Sequence, residues 1–172
     1  MRRTRAENIS AKQLLRAETL IRLGARSHII IAETDLARKR ILRMCKQITG
    51  ISASRGLLPS KPEWHLTFMA NIHSSLFMNL YRDLNRTLDV DQIDVAIRTY
   101  EMYLDAVRTH NVEVVLSFTR AWSLIKLFDI NAMKMAACTE CGDYFVIHAY
   151  DLAKDYVCQL CRPHNRSAKG KL

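Results

Sequence analysis

Residues 138–161 read CTECGDYFVIHAYDLAKDYVCQLC. Two C-x2-C pairs, Cys138 with Cys141 and Cys158 with Cys161, stand 16 residues apart. Such spacing is that of a zinc site closed by four thiolates, because a two-residue spacer lets one tight turn bring both sulfurs to a single ion. Gly142 suits the close turn of such a knuckle. Between the pairs, DYFVIHAY is aromatic and β-branched, as a strand would be. The segment therefore predicts a small zinc-ribbon-like unit. Four sulfur ligands leave no position for water or substrate, so the expected role of the single Zn2+ is structural. A redox dithiol is the alternative, but such motifs usually occur once and beside a βαβ pattern. His148 and His164 are further candidate ligands that a complete thiolate shell does not need.

Upstream of residue 131 the pattern is helical. One helix is expected over residues 11–33, with Leu14, Ala17, Ile21, Ala25 and Ile29 as its apolar stripe and Gly24 marking close packing or a break. A second is expected over 35–48, capped by Thr34 or Asp35, with Ile41, Met44, Cys45 and Ile48 on one face and Gly50 beyond its end. Its remaining surface carries Arg38, Lys39, Arg40, Arg43 and Lys46. Residues 49–62 read as a loop. Three more helices are expected at 63–86, 90–109 and 112–130, joined by short polar junctions that suit antiparallel neighbours. The fold class is thus mainly α: a helical bundle with a helix-turn-helix-like start and a C-terminal four-cysteine unit. The expected divisions are 1–50, 51–132 and 133–172. With only 5 Gly and 3 Pro in 172 residues, an all-β fold is disfavoured.

Charge is segregated. Residues 1–55 hold 13 Lys and Arg against 4 Asp and Glu, residues 56–161 hold 9 against 13, and residues 162–172 hold 4 against none. Basic ends around a mildly acidic centre suit a polyanionic partner through counterion release. A basic helix that can enter the major groove would read bases with arginine and hold phosphates with either cation. Arg38, Lys39, Arg40, Arg43 and Lys46 are the candidates there. Arg162, Arg166 and Lys169 form a second candidate arm beside the zinc unit. A solvated basic surface is the plainer alternative.

Signals of catalysis are missing: no Gly-rich phosphate loop, no G-x-S-x-G and no H-E-x-x-H. Asp89, Asp91 and Asp94 sit where a helix start favours acids. No apolar run approaches the roughly 20 residues that span a bilayer, and no leader peptide is evident, so the expected location is the cytoplasm. The paired aromatic platforms of a single-strand RNA binder are not evident.

Seven stretches carry a resemblance: LIRLGAR at 20–26, ETDLARKRI at 33–41, GLLP at 56–59, FMNLYR at 77–82, TRAWSLI at 119–125, CTECGDYFVIHA at 138–149 and CQLCRP at 158–163. In this order they resemble the FlhC family, a subunit of the bacterial flagellar master transcriptional activator. The resemblance implies a helical protein with zinc on the four cysteines. It also implies an obligate complex with the FlhD subunit, four D with two C, and binding to double-stranded promoter DNA, which the complex bends. RNA polymerase is a candidate further partner. Two departures touch only the C-terminal arm: the stretch after Cys161 is short beside some relatives, and His164 stands where a second proline is expected. An adaptor that leaves DNA reading to its partner is the second hypothesis.

Overall fold

The computed structural model describes residues 11–51, 58–151 and 155–163. Six α-helices and a two-stranded sheet occur among them: α1 (Ala11–Arg22), α2 (Ser27–Thr34), α3 (Arg38–Thr49), α4 (Phe68–Thr87), α5 (Gln92–Thr109), α6 (Phe118–Asp129), β1 (Met133–Ala137) and β2 (Tyr144–His148), with a 3-10 turn at Pro62–Leu66 before α4.

The first three helices form a small bundle. Ala17, Leu20 and Ile21 of α1, Ile29 and Ile30 of α2, and Ile41 and Cys45 of α3 are buried together. The single helix expected over 11–33 is in fact two. Gly24 adopts φ +76, with bonds from Gly24 N to Ile21 O and from Ala25 N to Leu20 O closing the end of α1. Only glycine takes such a conformation without strain from a Cβ. Asn111 and Asn131, also at positive φ, end α5 and α6 in the same way. Between α2 and α3 the turn is three residues, 35–37. Thr34 and Asp35 do not cap α3. The Thr34 hydroxyl turns back to Ile30 O, Asp35 takes a left-handed conformation at the end of α2, and Ala37 precedes α3 with no side-chain cap. Leu36, 2% exposed, plugs this turn into the core.

α4 and α5 pack as an antiparallel pair with α6 across them, around Phe77, Met78, Tyr100, Tyr103, Phe118 and Leu124. Helix α6 starts later than expected because residues 112–117 are drawn out of helical geometry. Tyr100 OH donates to Leu116 O at 2.9 Å, and Leu116 N donates to Tyr103 OH at 3.2 Å. With those backbone groups bonded to side chains, the helix begins only at the Ser117 cap, whose hydroxyl accepts from Arg120 N.

An ion cluster ties the first bundle to the second. Arg16 of α1 grips Asp94 of α5 at two points, Nε to Oδ1 at 2.9 Å and Nη2 to Oδ2 at 2.7 Å, and also bonds Asp91 and the carbonyl of Glu33. Asp91 and Asp94, expected only to serve a helix start, therefore serve a bridge.

Candidate metal centre and nucleic-acid interface

Strands β1 and β2 form an antiparallel hairpin, Met133 opposite His148 and Ala137 opposite Tyr144. The first cysteine pair is the connection between the strands. Cys138 O accepts from Gly142 N at 2.8 Å, and Gly142 has φ +79. The second pair repeats the turn, with Arg162 N bonded to Cys158 O at 3.0 Å. A bond from Thr139 N to Tyr156 O holds the two knuckles face to face.

All four sulfurs lie within 4.8 Å of one another. Cys138 to Cys161 and Cys141 to Cys158 are each 3.9 Å apart. Bonds of about 2.3 Å to one central ion place tetrahedral sulfurs about 3.8 Å apart, so the quartet fits a single metal ion. Backbone N–H groups already point at the sulfurs: Cys158 N at Cys138 Sγ, 3.3 Å, and Cys161 N at Cys158 Sγ, 3.4 Å. The first of these pulls the Cys138 thiol down to about 6, toward the thiolate that binds metal. The crowding has the opposite effect on Cys161, whose thiol is pushed well up by its neighbour Cys158. A fourth negative sulfur is unfavourable here until a cation arrives. Cys138 and Cys158 are buried under Phe145, with Tyr156 and Val157 against them, while Cys141 and Cys161 lie toward solvent. The four cysteines can hold a metal ion. Cys45, by contrast, is a buried thiol of α3, raised by that burial.

Helix α3 presents the basic candidates. Ile41 and Cys45 face the core, and Met44 and Ile48 pack beside them. At 100° per residue the opposite side carries Lys39, Arg43 and Lys46, with Arg40 on its flank, while Arg38 projects from the helix start on the side of Cys45. Arg38, Lys39, Arg43 and Lys46 are exposed, and Arg40 is half-buried. None of the five forms an ion pair with a described residue. Three of them, Arg38, Lys39 and Arg40, occupy the first turn of a helix that has no acid there and no side-chain cap. A helix start is electropositive, so each cation there is unfavourable by about 0.3–1 kcal/mol in the absence of an anion. Arg162 is exposed and donates to Glu140 at 3.1 Å. Arg166 and Lys169 lie outside the described residues.

The sequence profile of a family described as "Flagellar transcriptional activator (FlhC)" matches residues 4–172. The chain belongs to the FlhC family. It is 42% identical over 161 residues to the flagellar transcriptional regulator FlhC of Thauera aminoaromatica, covering 94% of this chain and 83% of that one. It is 41% identical over 162 residues to FlhC of Verminephrobacter eiseniae, covering 94% and 88%. A third relative, FlhC of Gallionella capsiferriformans, is 41% identical over 160 residues, covering 92% and 88%. Among the described residues of this FlhC-family chain no helix is long and apolar enough to cross a membrane.

Supporting residues around the metal centre were not anticipated. Among the described residues the outer edge of β2 has no third strand, and α4 takes its place. Asn71 donates to Val146 O at 2.7 Å, the Ser75 hydroxyl accepts from Val146 N at 2.9 Å, and Asn79 donates to Tyr144 O at 2.9 Å. Residues four apart stand on one helix face, so the signal in the FlhC-family sequence was the spacing N-x3-S-x3-N at 71, 75 and 79.

Proposed function

We propose that this chain is the DNA-binding subunit of a flagellar transcriptional activator, working in the cytoplasm in complex with an FlhD subunit, four D with two C. It binds double-stranded promoter DNA through α3, and the complex recruits RNA polymerase there. One Zn2+ held by Cys138, Cys141, Cys158 and Cys161 is structural: four thiolates close its shell, so it supplies folding energy and no chemistry. Catalysis has no part in this reading.

The observation that carries it is the disposition of charge on α3. Lys39, Arg43 and Lys46 form a stripe opposite the buried Ile41 and Cys45, and the electropositive helix start, where Lys39 lies, carries two further cations, Arg38 and Arg40, without an acid. A helix built for stability alone would carry Asp or Glu at that start. A polyanion offsets the repulsion, and the three-residue turn after α2 presents α3 as the second helix of a helix-turn-helix, the one that enters the major groove. Membership of a flagellar activator family supports the promoter target. Apolar side chains left at the surface, Leu76 and Met102 of the central helices and Val112 and Val114 of the connection between α5 and α6 among them, support a protein partner. Arg162, Arg166 and Lys169 are the candidates for a second phosphate-contacting arm.

The test is fluorescence anisotropy on a flagellar promoter fragment and a scrambled control, with and without FlhD, at two salt concentrations. Promoter preference that sharpens with FlhD is expected. Replacing Lys39, Arg43 and Lys46 with glutamine is expected to abolish it. Unchanged DNA affinity in that variant would make the chain an adaptor whose partner reads the DNA.

A further inference from the structure

The sheet is closed on one edge and open on the other. On β2 the backbone groups of Tyr144 and Val146 turn away from β1, and Asn71, Ser75 and Asn79 of α4 meet them. On β1 the outward residues follow from the register. Ala149 N donates to Ala132 O at 3.0 Å, and Cys138 N donates to Asp143 O at 2.8 Å. Residues 132, 134, 136 and 138 therefore turn their backbone groups toward β2, while Met133, Met135 and Ala137 turn theirs outward. No donor or acceptor among the described residues meets those outward groups. An open edge is commonly guarded by a lysine. Here Lys134 is instead bonded to Asp151 O at 2.7 Å.

The same strand lines a groove of about 450 Å3, shared with the C-terminal half of α4 and the end of α6. Met78, Phe128, Met133 and Met135 are its apolar wall, and Arg82 and Arg86 bring charge to it. No carboxylate lines it. Met78 and Met133 are buried, but Phe128 and Met135 are only half-buried and keep apolar surface for a partner. Arg86 is exposed. Arg82 is half-buried, its Cζ 5.5 Å from the Tyr144 ring centroid. Neither arginine has an ion-pair partner among the described residues.

Three properties of this surface select its occupant. Open N–H and C=O groups along a strand are satisfied together by an added strand. Two cations without an acid in the lining favour carboxylates. Methionine and phenylalanine side chains favour an apolar anchor, and methionine adapts to varied shapes. A DNA backbone would meet the cations, but it has no strand to pair with β1 and no apolar group for the wall. We infer that β1 and this groove seat an extended acidic segment of a protein partner, which adds a third strand to the sheet. Alternate side chains of such a strand share one face. An apolar one covers Phe128 and Met135, and acidic ones two residues away reach Arg82 and Arg86. The DNA reading of α3 is not needed for this.

The test is hydrogen exchange at the amides of Met133, Met135 and Ala137, in the full-length, zinc-loaded complex with FlhD. If these amides exchange freely, the groove is open, and a peptide of pattern Thr-Glu-Thr-Leu-Thr-Glu-Thr is added. Slowed exchange at all three is expected, with none from a counterpart carrying lysine in place of glutamate. Arg82→Gln with Arg86→Gln should weaken binding of the acidic peptide about tenfold in fluorescence anisotropy, the effect of two exposed ion pairs. If the amides are already protected in the complex, the segment belongs to FlhD, and the double variant is expected to release the protection. Arg86→Gln, at an exposed side chain, provides the same readouts should the double variant not fold. Free exchange with both peptides would overturn the inference. So would equal protection by both, or protection that the arginine variants leave intact. Protection by promoter DNA and not by the acidic peptide would assign the groove to nucleic acid and overturn it too. A complex without promoter preference would sink the DNA reading and leave the amide readouts interpretable.

Discussion

Asn71, in the first turn of α4, donates one amide hydrogen to Val146 O of β2 at 2.7 Å and the other to His65 O at 3.0 Å. One side chain thus joins the helical core, the turn before it and the sheet beside the four cysteines. Asn71→Leu leaves two buried carbonyls without donors, each unfavourable by about 1–3 kcal/mol. The expected outcome is a loss of about 2–4 kcal/mol in urea unfolding, with β2 amides losing hydrogen-exchange protection first. Equal loss of protection across all helices would contradict the specific role of the α4 edge.

Removing the metal should be felt beyond the ribbon. Met133 of β1 and Val146 of β2 belong to the main hydrophobic core, and structural zinc contributes about 10 kcal/mol or more to folding in small thiolate units. Chelation, or Cys138→Ser, is therefore expected to lower the melting temperature of the helices as well as unfold the hairpin. Circular dichroism at 222 nm checks this. An unchanged helical melt in the presence of chelator would count against a structural metal.

Acid should act through His65. The ring is 1% exposed, its Nδ1 is 2.8 Å from the Ser74 hydroxyl, and burial, with the charge of Arg120, pushes its pKa down to about 4 from 6.5. The unfolded chain therefore takes up the proton first. Stability associated with the neutral ring is complete above pH 6.5 and is lost as pH falls toward 4, by about 3 kcal/mol in all. Melting temperatures between pH 7 and pH 4 should fall less steeply for His65→Gln than for the wild type. Parallel curves would show that other groups govern the acid response.

The start of α3 should behave as a site where binding and stability conflict. Arg38→Glu replaces an unfavourable charge at a helix start with a favourable one. A gain of about 0.5–1 kcal/mol in stability is expected, together with weaker binding of any DNA fragment. Thermal melts and anisotropy on the same preparation test both halves. Lower stability in this variant would mean that Arg38 has a structural partner, and the case for α3 as the DNA-facing helix would weaken.

Legibility of the fold varied with the kind of interaction that decides each element. The cysteine quartet was readable because its chemistry fixes its spacing, and α3 because one periodic face is apolar and the other basic. The break between α1 and α2 was not. Ile21, Ala25 and Ile29 keep a four-residue spacing straight through Gly24, so periodicity cannot see a reversal in backbone conformation. Strand β1, MKMAA, contains no β-branched residue and is extended because β2 pairs with it, a tertiary effect that outweighs local preference. The run 112–117 looked helical until Tyr100 and Tyr103 engaged the backbone of Leu116. At the candidate sites, ligands were legible and their supports were not, since Asn71, Ser75 and Asn79 act through neighbours far away in the chain.

The polar face of α4 also fixes when the protein can finish folding during its synthesis. Asn71 and Ser75 are buried in the finished molecule, yet the strand that satisfies them lies 71 residues or more downstream. Until the ribosome releases that strand, α4 is amphipathic on the wrong side, with hydrogen-bonding groups directed at a place nothing fills. A chain cut short before Tyr144 would therefore expose a defect in its own centre, recognisable to a quality-control protease. Completion of the four-cysteine unit and completion of the bundle become a single event.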